Sequence, residues 1–408
     1  MEHERLSETY VVKSREESLA ASRSVLTITL IATIGMAAHG FAMTLTGAVL
    51  PQIMQTFAIR ETAAGVILAA GAFGFMSGSL LGAFVIDDFG TKPVLLAAWS
   101  TVIVSLAAIG VVQAYLLMVI ASFGLGLGSG LLETSLNVLP TQIGGGAGLM
   151  NIVHMGYGIG ALSAPLLAGA LIAAGHSWRL PFWLTASVPL LLAARSLTAP
   201  LPAAPKIAAA ETERQPVWSL LRQPMVILGA TALLFYVAAE LGVSSWIVVF
   251  SLKRLHLPQF MASVSLSLFW GFILIGRLGQ GLLARWLTLP SLIGGGAVLF
   301  ALALLGVGLS SSGELGLAFL ALAGLGASGI FPNIMAHTNR LYPRQIGVIT
   351  GTLATLACAG SFAVQPVMGW VAEHYGLSTG LLGLSGCMAV VALAYLPVLL
   401  GKVKPSQV

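Results

Sequence analysis

Residues 115–139 read YLLMVIASFGLGLGSGLLETSLNVL, and Glu133 is the only charged residue in this run of 25. A helix needs about 20 mostly apolar residues to cross a bilayer, so the run predicts a transmembrane helix. Four small or polar residues recur at spacings of four, three and four and therefore share one helical face: Gly126, Gly130, Glu133 and Asn137. This face predicts that the helix turns its polar side toward the interior of the protein, or toward a cavity, rather than toward lipid.

The remainder of the chain has the same apolar character. Of its 408 residues, 57% are hydrophobic and 8% are charged, whereas a soluble domain carries about 25% charged residues. No soluble fold buries so much apolar side chain, so lipid is the expected solvent. Twelve runs are long enough to span a bilayer: 25–55, 62–86, 93–112, 115–139, 145–174, 178–197, 223–250, 260–283, 288–309, 313–340, 344–374 and 378–400. We therefore expect an all-α membrane protein with twelve transmembrane helices, called here spans 1–12.

The longest polar break in the chain divides these spans into two sets of six. The predicted segments are an N-terminal tail 1–24, an N-terminal bundle 25–199, a linker 200–222, a C-terminal bundle 223–400 and a C-terminal tail 401–408. The two bundles repeat weakly, because Ser129–Glu133 in span 4 aligns with Ser328–Pro332 in span 10. Parallel repeats of this size are typical of transporters that rock one bundle against the other.

Lysine and arginine are distributed unequally between the two sides of the predicted membrane. With the N-terminus inside, 14 of the 19 lie on the cytoplasmic side, and one, Arg277, lies within span 8. The four on the outer side are Arg60, Arg179, Lys253 and Arg254. This excess predicts a cytoplasmic location for both termini. Because the basic residues form no dense patch, we expect the lipid bilayer of the inner membrane, and not a nucleic acid, as the partner.

Few ionisable groups lie deep in the spans. Burying a charge there costs about 2.5 kcal/mol or more, so each of these groups is expected to have a structural or functional role. The residues expected to form a solute site are His39, Glu133, Asn137, Asn151, His154, Glu240, Trp246, Asn333 and Gln365. Amide and hydroxyl groups suit an uncharged, polyhydroxylated ligand, on whose apolar faces Trp270 and Phe331 are further candidates for stacking.

Glu133 and His154 fall at similar depth if spans 4 and 5 form a hairpin that turns near Gln142. A carboxylate near an imidazole can share or relay a proton, so Glu133, His154 and Glu240 are the candidates for proton coupling. Alternatively, Glu133 only ties neighbouring helices together by hydrogen bonds, and Glu240 caps a kink beside Gly242.

Span 10 contains a proline in its middle. Pro332 removes one backbone donor and frees a carbonyl group one turn earlier. Gly329, Asn333 and His337 recur every four residues around it. We therefore expect a locally broken helix that serves as a binding site or a hinge.

The loop between spans 2 and 3 reads GAFVIDDFGTK at residues 82–92. This order of a glycine, an acidic residue, a second glycine and a basic residue resembles the signature loop of the major facilitator superfamily. At two positions where that loop has basic residues, this chain has Asp88 and Thr91. The resemblance implies that superfamily's fold of two pseudo-symmetric six-helix bundles, with a gate at this loop. Asp87, Asp88 and, in the second bundle, Arg277 are therefore the expected gating residues rather than solute contacts. The alternative to a gating role for Arg277 is that its side chain snorkels, with its charged end reaching the membrane interface.

A more specific resemblance is carried by four short stretches: LPQ at 50–52, GLLETSLN at 130–137, MNIVH at 150–154 and GIG at 158–160. They are similar to the fucose permease-like branch of the superfamily, which includes proton-coupled symporters for fucose, glucose and related sugars. The resemblance implies that Glu133 serves substrate binding or proton coupling and that Asn137 belongs to the same motif. Gly47 stands where the fucose permease pattern has an acidic residue.

These features predict a secondary active transporter for a small neutral solute of the sugar class, driven by protons. An exporter or uniporter of amphipathic or drug-like compounds on the same fold is the alternative. The sequence carries no metal-ligand cluster, nucleophile elbow or phosphate-binding loop, so we expect no enzyme, cofactor or metal site. A non-transporting sensor would be favoured by an appended signalling domain. We expect the transporter to act as a monomer.

Overall fold

The computed structural model describes the backbone of residues 2–201, 222–342 and 345–401, and before Ser24 it describes no side chains. The described residues form fourteen α-helices: α1 Glu2–Ala48, α2 Leu50–Thr56, α3 Glu61–Phe89, α4 Thr91–Val111, α5 Tyr115–Gln142, α6 Ala147–Ala173, α7 Leu180–Thr198, α8 Pro224–Lys253, α9 Gln259–Leu283, α10 Leu289–Leu309, α11 Gly313–Ala327, α12 Ile330–Leu341, α13 Ile346–Tyr375 and α14 Leu377–Leu399. Twelve stretches are long and apolar enough to cross a membrane, as predicted. The predicted linker 200–222 and C-terminal tail 401–408 lie almost entirely outside the described residues.

The predicted span limits agree with the outer limits of the helices to within three residues, except at the start of span 1, where α1 already begins at Glu2. Two spans are interrupted. Span 1 is followed directly by the short helix α2, because α1 ends at Ala48 and a new helix begins at Leu50, beside Pro51. Span 10 consists of α11 and α12, which are separated at Ser328 and Gly329. The break predicted in span 10 is therefore confirmed.

The two bundles have the same internal packing, which explains the weak sequence repeat. In the N-terminal bundle, α1 packs on α6, α3 on α5, and α4 on both α5 and α7. In the C-terminal bundle, α8 correspondingly packs on α13, α9 on α11, and α10 on both α11 and α14. The bundles meet where α3 packs on α13 and where α6 packs on α9.

Polar contacts hold the bundles together at one membrane face. We call it the distal face, because its helix connections, such as 57–60 and 254–258, lie opposite the ends that carry residues 24 and 399. Four contacts, called here the distal clasp, join the bundles: Gln52 Nε2 to Gln259 Oε1 at 2.8 Å, Lys253 Nζ to Glu61 Oε1 at 2.7 Å, the Thr62 N–H to Glu373 Oε2 at 3.0 Å, and Arg60 Nη1 to Glu373 Oε1 at 3.6 Å. The distal face is therefore closed.

Glycines show how the distance between the bundles changes with depth. Beside the distal clasp, α3 approaches α13 so closely that a Cβ on Gly65 would lie 2.7 Å from the carbonyl oxygen of Gln365. At the opposite end of the interface helices, a Cβ on Gly281 of α9 or on Gly351 of α13 would have no neighbour within 4 Å. The bundles therefore touch at the distal face and diverge toward the face that carries the termini.

Candidate functional site

Glu133 projects from α5 toward His39 of α1. The distance between His39 Nε2 and Glu133 Oε2 is 4.0 Å. His39 is only 2% exposed, and its Nδ1 is buried without a hydrogen-bond partner among the described residues. The Glu133 side chain keeps 31% of its exposure. The carboxyl group therefore borders open space between the helices, while the imidazole packs behind it.

The imidazole beside Glu133 is not the predicted one. We expected Glu133 and His154 at similar depth if spans 4 and 5 form a hairpin, so that the carboxylate could share a proton with the imidazole; in the structure, the imidazole beside Glu133 is that of His39. The physical reason is that α1 packs against both α5 and α6 and keeps most of α5 away from α6. His154 lies within electrostatic range of His39 and of Arg277 instead. A proton relay from Glu133 to His154 would pass through His39.

Aromatic rings extend the site from His39 across to the C-terminal bundle. The His39 ring stacks on Phe75, with 6.1 Å between ring centroids, and contacts Tyr157 at 5.4 Å. Tyr157 in turn meets the edge of Trp270 at 5.6 Å, and Trp270 Nε1 donates a hydrogen bond to Ser244 Oγ at 3.0 Å. The sequence analysis missed Phe75 and Tyr157. The spacing of Tyr157, three residues after a predicted site residue on the same helix, was a usable signal for it.

Glu240 lies in the interior of the C-terminal bundle and is 8% exposed. The Tyr236 hydroxyl donates a hydrogen bond to Glu240 Oε1 at 2.6 Å. The same hydroxyl lies 3.0 Å from the carbonyl oxygen of Ala327, the last residue of α11. Tyr236 therefore connects the buried carboxyl group to the point where span 10 is broken.

Arg277 lies on α9, six residues before the helix ends at Leu283. It is within electrostatic range of His154 and Tyr157 from the N-terminal bundle and of Glu240 from the C-terminal bundle. Its Nε is buried without a hydrogen-bond partner among the described residues. Arg277 therefore shares the central polar region with Glu240 and His154.

The three residues predicted to form a gate do not come together in this structure. Asp87 and Asp88 are exposed in the last turn of α3, which ends at Phe89. The contacts found for Arg277 among the described residues involve neither acid. The structure therefore groups Arg277 with the central side chains rather than with the loop after span 2.

A glutamine that the sequence analysis missed bridges the break in span 10. Gln280 Nε2 donates to Ser328 Oγ at 3.4 Å, and Asn333 Nδ2 donates to Gln280 Oε1 at 3.1 Å. A Cβ on Gly329 would collide with the amide group of Gln280, so glycine is required for this approach. The predicted residue Asn333 is therefore tied to α9 through Gln280, for which no motif gave a signal.

The remaining predicted site residues differ in their surroundings. Asn137 Oδ1 is buried without a partner among the described residues. Gln365 is 3% exposed, and its Nε2 donates to the Leu241 carbonyl oxygen at 3.5 Å. Asn151 is exposed one turn into α6, nearer the membrane face. Trp246 is 0% exposed, so it has no surface to offer a solute in this conformation. Neighbouring helices cover the ring completely, and a solute contact by Trp246 stays a prediction for other conformations.

This architecture defines a class of protein. In the part of the chain that the structure describes, twelve membrane-spanning stretches form two pseudo-symmetric bundles, and polar side chains of both bundles face one another. Among the described residues, no three His, Cys, Asp or Glu side chains come together so as to hold a metal ion. A multi-pass membrane transporter is the class with this arrangement. The family model of the Major Facilitator Superfamily matches residues 32–364, and the chain belongs to that superfamily, whose members are transporters and not enzymes.

Comparison with individual proteins agrees with this assignment and with the resemblance noted in the sequence. The chain is 22% identical over 333 residues to the glucose/mannose transporter GlcP of Bacillus subtilis, covering 80% of this chain and 83% of that protein. Its fold matches the nucleoside transporter NupG with a TM-score of 0.75 and 16% identity, covering 91% of this chain and 98% of NupG. It also matches the fucose:proton symporter FucP of Escherichia coli with a TM-score of 0.64 and 19% identity, covering 91% and 98% of the two chains.

Proposed function

We propose that this chain is a secondary active transporter that moves a small hydroxylated solute of the sugar class by proton-coupled alternating access. The single observation that carries the proposal is the position of Glu133. Its carboxyl group is partly exposed between the helices and lies 4.0 Å from a buried imidazole nitrogen of His39. An ionisable group held in the interior of a membrane protein marks a substrate or proton pathway by default.

Two further observations support a sugar-class solute. The partly buried rings of Phe75 and Tyr157 offer apolar faces, and Asn137, Asn333 and Gln280 add partly buried amide side chains from the two bundles. This combination of apolar faces and few convergent polar groups is what small-molecule sites usually present. The similarity to a glucose/mannose transporter over most of both chains supports the same class of solute.

The coupling mechanism follows from the cost of a charge in a low-dielectric site. When Glu133 is ionised, its carboxylate requires water or a charged partner, which favours the conformation that opens the site to water. When Glu133 takes up a proton, that requirement disappears, and the bundles can close over the site and reorient. His39 Nε2 is the nearest group that can exchange this proton, and His154 and Glu240 are further candidates in the same region.

The location and state of the transporter follow from the distribution of lysine and arginine. With both termini in the cytoplasm, the distal face is the outer face of the inner membrane. The distal clasp then closes the outer side, and the divergence of the bundles opens the site toward the cytoplasm. In this orientation Asp87 and Asp88 lie at the cytoplasmic end, where a gate would form when the transporter opens outward. The two bundles contain the whole site, so a monomer suffices.

Transport by purified protein in proteoliposomes tests this proposal. We expect wild type to accumulate radiolabelled glucose, mannose or fucose when the lumen is more alkaline than the outside. Glu133→Gln, which keeps the shape of the side chain but cannot ionise, should lose this accumulation and retain exchange of solute between the two sides. Glu314→Gln is the matched control, because Glu314 is exposed at the start of α11 and should behave as wild type.

The outcomes separate the competing functions. Accumulation by Glu133→Gln under a pH gradient would transfer the coupling role to Glu240 or to the histidines. Equilibration without accumulation in the wild type would identify a uniporter. Efflux of amphipathic compounds with no sugar uptake would favour the exporter that the sequence left open as the alternative.

A further inference from the structure

Arg277 brings a permanent positive charge into the region between the bundles. A guanidinium group stays protonated at every physiological pH. Arg277 lies two turns after Trp270 on α9, and on the same helical face, so it points toward α6 and α8 below the aromatic rings. The neighbouring groups are His154 and Tyr157 on α6 and Glu240 on α8.

No described residue satisfies this guanidinium group. Nε is buried without a hydrogen-bond partner, and no described acid lies within the 4.0 Å of an ion pair. The nearest carboxyl groups are engaged elsewhere. Glu240 Oε1 accepts a hydrogen bond from Tyr236 at 2.6 Å, and Glu133 Oε2 is next to His39.

A guanidinium group without an acceptor is costly inside a membrane protein. An arginine that snorkels would relieve this cost by reaching the membrane face. Arg277 instead lies within electrostatic range of His154, Tyr157 and Glu240, six residues short of the end of its helix. Since the described part of the protein supplies no hydrogen-bond partner in this conformation, the guanidinium group is available to a ligand that enters the space between the bundles.

We propose that the solute carries a carboxylate group that binds to Arg277, so that the preferred substrates are sugar acids rather than neutral sugars. The inference rests on the proposed function for the location of the solute between the bundles. A planar guanidinium group donates two parallel hydrogen bonds to a carboxylate, which gives both affinity and orientation. With the carboxylate at Arg277, the hydroxylated ring of the solute extends toward Tyr157. The sequence predicted a neutral solute because amide and hydroxyl groups suit an uncharged, polyhydroxylated ligand, and it placed Arg277 at a gate.

Binding of matched ligand pairs to detergent-purified protein tests this proposal. The probes are glucuronate and galacturonate, their uncharged amides glucuronamide and galacturonamide, and glucose. We expect a uronate to raise the Tm of the wild type and to bind about 10- to 100-fold more tightly than its amide, as expected for a hydrogen-bonded charge pair. Arg277→Gln should remove this preference. Arg277→Lys keeps the positive charge but cannot donate two parallel hydrogen bonds, so it should retain part of the preference.

The stability of the unliganded variants separates binding from a structural role. Because the guanidinium group has no partner here, the Tm of unliganded Arg277→Gln should equal or exceed that of wild type, whereas loss of a structural contact would lower it. Arg285→Gln is the matched control, since Arg285 is exposed just beyond the end of α9 and should leave the preference unchanged.

Two results would overturn the proposal. One is binding of glucose or of the amides as tight as that of the uronates, and the other is a uronate preference that survives in Arg277→Gln. Neither readout depends on a pH gradient. A uronate that binds through Arg277 but is not accumulated under a gradient would therefore reject proton coupling while retaining this site.

Discussion

The close crossing of α3 and α13 beside the distal clasp makes a sharp prediction about conformational change. Gly65→Ala places a methyl carbon 2.7 Å from the carbonyl oxygen of Gln365 and 3.3 Å from the Cα atoms of Pro366 and Gly369. Ordinary contact begins at 3.4 Å, so the helices must separate by about 0.7 Å, and the contacting atoms are backbone atoms that cannot rotate away. Overpacking of this kind costs about 1–3 kcal/mol.

This cost arises only when the distal face is closed. A bias of about 1–3 kcal/mol changes the ratio of closed to open conformations about 5- to 150-fold. Spin labels on exposed distal positions of the two bundles, Gln113→Cys and Ser311→Cys, report this ratio through electron–electron distances after Cys358 and Cys387 are replaced by serine. We expect Gly65→Ala to shift the distance distribution toward longer values.

Gly71→Ala is the matched control, because it lies on the same helix and its Cβ would meet nothing nearer than 3.6 Å. It should leave the distances unchanged. The reasoning is refuted if Gly65→Ala shows the distances of the wild type, or if Gly71→Ala lengthens them equally. Either result would mean that the crossing at Gly65 does not limit closure of the distal face.

Three further substitutions have expected outcomes. Lys253→Gln removes the 2.7 Å contact with Glu61. Because a surface ion pair contributes about 0–1 kcal/mol, the same spin labels should report at most an about fivefold gain in the open state. In 1 M salt, which screens the ion pair, the variant and the wild type should show the same ratio of open to closed conformations. Tyr236→Phe leaves the buried Glu240 Oε1 without its donor, which should lower the free energy of unfolding by about 1–3 kcal/mol in a detergent titration. Gln280→Ala removes the bridge across the break in span 10; we expect a lower Tm together with slower transport, and a Tm equal to that of wild type would contradict the bridging role.

The fold was predictable because its main determinants are local. Length and hydropathy define each span, and the apolar run 115–139 corresponds to α5 to within three residues at its end. Pro332 cannot donate a backbone hydrogen bond and lies in the first turn of α12, which favours the break at Gly329. The face that carries Glu133 was also correct, since helical spacing decides which residues share a side.

The arrangement of side chains from different helices was less predictable. Helical spacing says which residues share a face but not which neighbour that face meets. The insertion of α1 beside α5 is a tertiary result, so His39 and not His154 became the neighbour of Glu133. The burial of Trp246 and the central position of Arg277 likewise depend on how helices rotate against one another.

The distal clasp could not be predicted for a related reason. It joins residues more than 190 positions apart, such as Lys253 to Glu61 and Gln259 to Gln52. Each of these residues lies near a helix end, where a charged or amide side chain is ordinary and gives no signal in a single sequence. Only the docking of the two bundles brings these groups within hydrogen-bond distance.

In the proposed mechanism, solute and proton cross together and Glu133 carries the proton. Proteoliposomes loaded with the pH-sensitive dye pyranine test it directly when solute is added outside with no gradient imposed. The account predicts that solute entry acidifies the lumen in the wild type and that Glu133→Gln exchanges solute without acidification. Solute entry without acidification in the wild type, or equal acidification by Glu133→Gln, would contradict the claim.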